Sequence, residues 1–193
     1  MVHHLAVYIA TKITTAIPSE TKNYTIFVYA FEKMICQLLI FLFLVILSVY
    51  TGVFVKMMIY ICFVVFLRGQ TSGFHAKSPL GCIFLSGLTS MTCIYLSGFI
   101  LNSNKLLLLP IFFTAVVYIL CTSPVNHILL DLTPFEITSH KKRTYRILAC
   151  ELFLIFLLYL FPATKAISIT ASLAIITVAL FMVLSKITNQ EVK

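Results

Sequence analysis

Six apolar runs, separated by short polar gaps, organise the chain: Met34 to Tyr50, Val53 to Leu67, Cys82 to Leu101, Leu106 to Cys121, Ile147 to Phe161 and Ala166 to Leu184. A helix that crosses a bilayer needs about 17 to 25 such residues. The third and sixth runs meet that length outright. The second and fifth are short and are interrupted by Lys56 and Glu151, so each must recruit flanking residues or thin the bilayer. Ahead of the first run, Leu5, Ile9 and Ile13 recur at near-helical spacing beside Lys12 until Pro18 and Ser19 break the pattern. This predicts a helix lying in the membrane interface, with a loosely ordered tail as the alternative. The expected fold class is all-α, a polytopic integral membrane helical bundle of about six membrane segments plus an N-terminal interfacial helix. Residues 1–33 then form an interfacial N-terminal piece and residues 34–185 the transmembrane domain, with cytoplasmic loops 68–81 and 122–146; residues 186–193 are a short tail.

Composition excludes an ordinary soluble domain. Of 193 residues, 61% are hydrophobic and only 10% charged, too few to cover a water-facing surface. The formal charge of +8 does not indicate nucleic acid, because the basic residues sit in the gaps between runs and form no single stripe. They read as topology signals instead. With a cytoplasmic N-terminus, Lys12, Lys22, Lys33, Arg68, Lys77, Lys141, Lys142, Arg143, Arg146, Lys186 and Lys193 make 11 inside cations, against 3 outside, Lys56, Lys105 and Lys165. Both longer loops and both termini are thus expected in the cytoplasm, with tight turns outside. The stretch Leu5 to Ala10 is too short for a secretory signal and lacks a small-residue cleavage site, so the chain is expected to insert whole. Cys36, Cys62, Cys93, Cys121 and Cys150 lie in or at the edge of apolar runs without paired spacing, which predicts reduced thiols.

Candidate chemistry concentrates between Arg68 and Cys82. This stretch holds the only His and Cys that lie close together in polar sequence, His75 and Cys82, and it leads into an apolar run. Ser78 followed by Pro79 reads as a helix N-cap with Pro at the first helical position, which makes Cys82 the fourth residue of the helix. A thiol there faces the positive end of the helix dipole, and Arg68, Lys77 and a protonated His75 favour its thiolate in the same sense. On a continuous helix His75 and Cys82 would stand about 10.5 Å apart along the axis, too far for a hydrogen bond. The cap lets the chain fold back across that gap, and Gly73 allows the sharp turn that aims an imidazole. The residues alone leave two readings open: a His–Cys dyad, or a loop histidine unrelated to an inert membrane cysteine.

Cys82, Ser86, Ser90, Cys93 and Ser97 recur on one helical face at steps of four, four, three and four, with Gly87 and Gly98 beside it. Such a stripe of small residues admits a close helix neighbour, so this face should point into protein.

These residues resemble the accessory gene regulator B family of bacterial membrane endopeptidases, which process quorum-sensing propeptides. The resemblance spans nearly the whole chain: its length, the spacing of its runs, the basic loop before the fifth run, and the Arg68, Gly73, Phe74, His75 and Cys82 arrangement. It implies that His75 is the general base and Cys82 the nucleophile of a cysteine endopeptidase, with Arg68 and Gly73 supporting residues needed for activity. It implies further that the C-terminal tail of a short precursor signal peptide (AgrD-like) is cut off and the remainder cyclised as a thiolactone or lactone autoinducer, at the bacterial cell membrane.

Several features stay unplaced. Gln70, Asp131, Glu136 and Glu151 are candidates to orient His75, and Glu151, inside an apolar run, could instead snorkel or pair with Arg146. Lys141, Lys142 and Arg143 are read as an orientation signal touching anionic lipid, or as a dock for an acidic peptide segment. His3, His4, His127 and His140 lack metal-ligand spacing, so neither a metal nor another cofactor is expected. Expected partners are the precursor peptide and the lipid bilayer, with no nucleic acid; a homodimer stays open. The competing function is a non-enzymatic small permease or assembly subunit, which would be expected to place paired charges or broken helices at mid-membrane.

Overall fold

An apolar run in lipid must satisfy each backbone N–H and C=O internally, and a helix does this within one segment. The computed structural model of the chain describes residues 2–16, 24–74, 78–102, 108–126 and 133–188. These fold as α1 (Val2–Ala16), α2 (Tyr24–Tyr50), α3 (Phe54–Thr71), α4 (Pro79–Asn102), α5 (Leu108–Thr122), α6 (Pro134–Leu160) and α7 (Lys165–Ile187), with a 3₁₀ turn at Pro162–Thr164. No strand occurs among the described residues. By length and apolarity, α2, α3, α4 and the segment containing α7 can each cross a bilayer. The helix α5 is apolar but shorter, 15 described residues. The helix α6 is long, but Lys141, Lys142, Arg143 and Arg146 occupy its first half and Glu151 its second.

The core is built around α7, which touches α3, α4, α5 and α6. Every residue from Ser168 to Ile175 is buried, and most are small, so neighbouring helices approach closely. The hydroxyls of this stretch do not go unsatisfied: Thr170 and Ser172 donate to the carbonyls of Ala166 and Ser168 one turn back, and Ser168 donates to the Ile155 carbonyl of α6. Leu67, Ile119, Leu148, Ile175, Val178 and Met182 pack into one cluster around this axis. A second cluster of Leu44, Met57, Ile61 and Ile94 joins α2, α3 and α4. Large apolar side chains such as Phe84, Phe99, Phe113 and Phe156 line the outside, where lipid would accept them.

The end of α3, the start of α6 and the end of α7 meet at one end of the bundle. Gln70 Oε1 lies 3.0 Å from His140 Nδ1 on α6. The Val125 N–H donates to the Thr71 carbonyl at 3.0 Å, and the Phe74 N–H donates to the Phe181 carbonyl of α7 at 3.0 Å.

Helix boundaries differ from the hydropathy reading in two places. The stretch expected as loop 122–146 is helical from Pro134, because Thr133 and Glu136 form a capping box with Pro134 at the first position. The helix α2 begins at Tyr24, ahead of the apolar run. The helix α1 forms where expected, but its buried residues are Ala6, Ala10 and Thr14, whereas Leu5 is half exposed. It packs on α2, with His3 paired to Glu32, and small residues let the two helices come together.

Candidate functional site

At the start of α4, Ser78 Oγ accepts the Gly81 N–H at 3.1 Å, and the Ser78 carbonyl accepts the Cys82 N–H at 3.1 Å. Ser78 is thus the N-cap and Cys82 the fourth helical residue, as the Ser-Pro spacing predicts. The Cys82 side chain is half-buried. All six cysteines are thiols, including Cys82.

The stripe running on from Cys82 faces protein. Ser90 and Ser97 are fully buried, and Cys93 Sγ lies 3.3 Å from Thr177 Oγ1 on α7. Gly87 lies against α2 so closely that a Cβ there would stand 2.9 Å from the Phe43 ring. Gly98 differs, because a Cβ at that position would meet open space.

Arg68, one turn from the end of α3, closes over the segment that leaves it. Its guanidinium donates to the Phe74 carbonyl and stacks 4.6 Å from the centroid of the Phe181 ring. The Arg68 carbonyl accepts the Ser72 N–H at 3.1 Å, where α3 ends. The chain then turns through Gly73 at φ +141°, in the region that L side chains rarely adopt. Arg68 also lies within electrostatic reach of Cys82. Its guanidinium is directed at a backbone carbonyl and an aromatic face, a role more specific than that of a nearby cation. His75 and Lys77 lie outside the described residues.

Three neighbours of the site escaped the sequence reading. Lys33 on α2, counted there only as a topology signal, is within electrostatic reach of Arg68, and Cys36, one turn further on, is within reach of Cys82. Phe181 is separated from Arg68 by more than a hundred residues, and no spacing rule connects them.

The structure divides the candidates for orienting His75. Gln70 is engaged by His140. Glu136 accepts from the Thr133 N–H at 2.9 Å and the Thr133 hydroxyl at 2.8 Å, and these bonds hold its carboxyl below its ordinary pKa. Glu151 neither snorkels nor pairs with Arg146: it is buried, and neither carboxylate oxygen has a partner among the described residues. Asp131 and His127 lie outside the described residues. His3 pairs with Glu32 and stands edge-on to His4. Lys142 and Arg143 are exposed on the first half of α6, while Lys141 is partly covered and its Nζ sits 5.9 Å from the Tyr145 ring centroid. Among the described residues no three His, Cys, Asp or Glu side chains come together to hold a metal.

The arrangement is a thiol at a capped helix start, beside a cation that restrains the neighbouring chain. It can present a nucleophile to a carbonyl. A family model described as Accessory gene regulator B matches residues 4–186. No curated protein and no solved structure matches the chain.

Proposed function

The chain belongs to the Accessory gene regulator B family, and on that premise we propose that it is a membrane cysteine endopeptidase that matures a quorum-sensing signal. Membership implies a part in processing an AgrD-type propeptide at the membrane. The finer reading assigns Cys82 as nucleophile and His75 as general base, with Arg68 and Gly73 as supporting residues. The observation that carries it is the position of Cys82 as fourth residue of a capped helix, next to the Arg68-restrained segment that leads into His75.

In this reading His75 takes the Cys82 proton and the thiolate Sγ attacks the carbonyl carbon at the precursor's cleavage point. The tetrahedral oxyanion collapses, the C–N bond breaks, and the tail's amine leaves with the proton returned by His75. The acyl group then sits on Cys82 as a thioester. An internal thiol or hydroxyl of the same peptide attacks that thioester, releases Cys82 and closes a thiolactone or lactone. A tethered nucleophile reaches an effective molarity of about 10⁵ M or more when well oriented, which outcompetes water in a dry site.

The same reading has six crossings, α2 to α7, with α6 crossing through its apolar half. The α3–α4 connection and the exposed Lys142 and Arg143 face the cytoplasm, where Lys141, Lys142 and Arg143 dock an acidic segment of the precursor. The test is co-expression with a candidate precursor peptide. Cys82→Ala is expected to insert normally and to abolish cleavage, while alanine at Cys62, Cys121 or Cys150 leaves cleavage largely intact. Normal cleavage by Cys82→Ala would overturn the enzyme reading.

A further inference from the structure

Phe181 acts twice on the segment that leads into His75. Its backbone carbonyl accepts the Phe74 N–H at 3.0 Å, and its ring lies 4.6 Å from the Arg68 guanidinium. That guanidinium in turn donates to the Phe74 carbonyl. Phe74 is therefore held at its N–H by α7 and at its C=O by α3. At Gly73 the chain lies directly on α7, where a Cβ would stand 3.4 Å from the carbonyl carbon and oxygen of Phe181.

The ring carries a share of this that the backbone cannot. Among the described residues no carboxylate forms a salt bridge with Arg68. Away from bulk water a guanidinium needs its donors satisfied and its charge offset, and here a carbonyl supplies the first and an aromatic face the second. Remove the ring and Arg68 is left on a flexible stem that can swing toward water or lipid headgroups, releasing the Phe74 carbonyl. Phe181 itself is almost fully buried, so its ring has little room to take another position.

We propose that Phe181 is a positioning residue of the peptidase site: its ring orients the Arg68 guanidinium, and through it the Phe74 carbonyl, in the arrangement beside Cys82 that reaction of its thiol requires. This rests on the cysteine-peptidase reading above. Any side chain at position 181 keeps the carbonyl that accepts from Phe74, so substitution isolates the ring.

The test uses the full chain in lipid vesicles, with Cys36, Cys62, Cys93, Cys121 and Cys150 replaced by alanine. Alkylation of Cys82 by iodoacetamide is followed from about pH 5.5 to 9 and normalised to inserted protein. Phe181→Leu is expected to slow alkylation near neutral pH by about 3- to 30-fold, the change that loss of a cation–π contact carries, and to shift the pH profile as Arg68→Gln does. Phe181→Tyr, which keeps the aromatic face, is expected to follow the parent. Adding Phe181→Leu to Arg68→Gln is expected to change nothing further, because the ring acts through the guanidinium. A Phe181→Leu profile superimposable on the parent, or losses that add in the double variant, would overturn the proposal. If Phe181→Leu fails to insert, Phe181→Met, also without a ring, is judged by the same outcomes. His75→Ala separates the two ideas. A parent-like His75→Ala profile removes the dyad, whereas a shifted His75→Ala profile beside a parent-like Phe181→Leu profile removes only the role of Phe181.

Discussion

The Ser78 hydroxyl accepts the Gly81 N–H at 3.1 Å, closing the cap of α4 one residue before Cys82. The first turn that carries the thiol therefore depends on a side chain outside the helix. Losing such a cap costs about 1 kcal/mol of helix stability, or about fivefold in the population of an ordered first turn. Ser78→Ala is expected to slow Cys82 alkylation by up to that factor, and Ser78→Asn, which caps equally well without adding charge, to restore it. Equal rates in all three proteins would show that the cap does not support the thiol.

At Gly73 the difficulty for a larger residue is torsional. A Cβ there would make ordinary van der Waals contacts with the backbone of Phe181 and Met182, but φ is +141°. Forcing an L side chain into such a region costs about 1 to 3 kcal/mol, and the segment would relax by moving. Gly73→Ala is expected to insert at parent levels, because residue 73 lies outside every helix and its Cβ makes only ordinary contacts, and to lose most precursor cleavage. Undiminished cleavage would show that the turn is not required.

The proposed orientation can be checked on α6. Thr71 is fully buried and would not report, whereas Lys142 is exposed at the same end of the bundle. In a chain lacking the native thiols, Lys142→Cys is expected to resist an impermeant maleimide on intact cells and to react once the membrane is opened. Ready labelling of intact cells would place the α3–α4 connection outside.

Glu151 offers a stability test. A buried carboxyl whose oxygens find no partner among the described residues is costly in an apolar setting, by about 1 to 3 kcal/mol. Glu151→Leu is expected to raise the melting temperature of the detergent-purified protein, and Glu151→Lys to reduce insertion. A lower melting temperature for Glu151→Leu would show that the carboxyl is satisfied by a group not seen in the structure.

What could be read from residue order was mostly local. Ser78, Pro79 and Cys82 announce a capped helix start because capping is a short-range code, and the face from Cys82 to Ser97 could be aligned because a helix repeats every 3.6 residues. The basic stretch before the fifth run was harder. It looks like a loop by charge, yet Thr133, Pro134 and Glu136 already spell a capping box that a hydropathy profile does not register. In α1 the reading saw the face of Leu5, Ile9 and Ile13 meant for the membrane interface and did not register the adjoining face, which packs on α2. Where lipid takes large side chains, Ala6 and Ala10 mark the contact instead. Arg68 was visible as a cation, but its aim at Phe74 and Phe181 depends on α7, which no spacing rule brings to it.

The burial of α7 bears on how the molecule is made. Translation delivers this helix after the six others, yet α3, α4, α5 and α6 all lean on it. Until α7 emerges, those neighbours lack the surface they pack on, and Cys93 lacks Thr177. A ribosome that stalls before codon 181 leaves Arg68 without its ring and Phe74 without its acceptor, so a nascent chain of this protein holds its thiol some time before it holds a finished site.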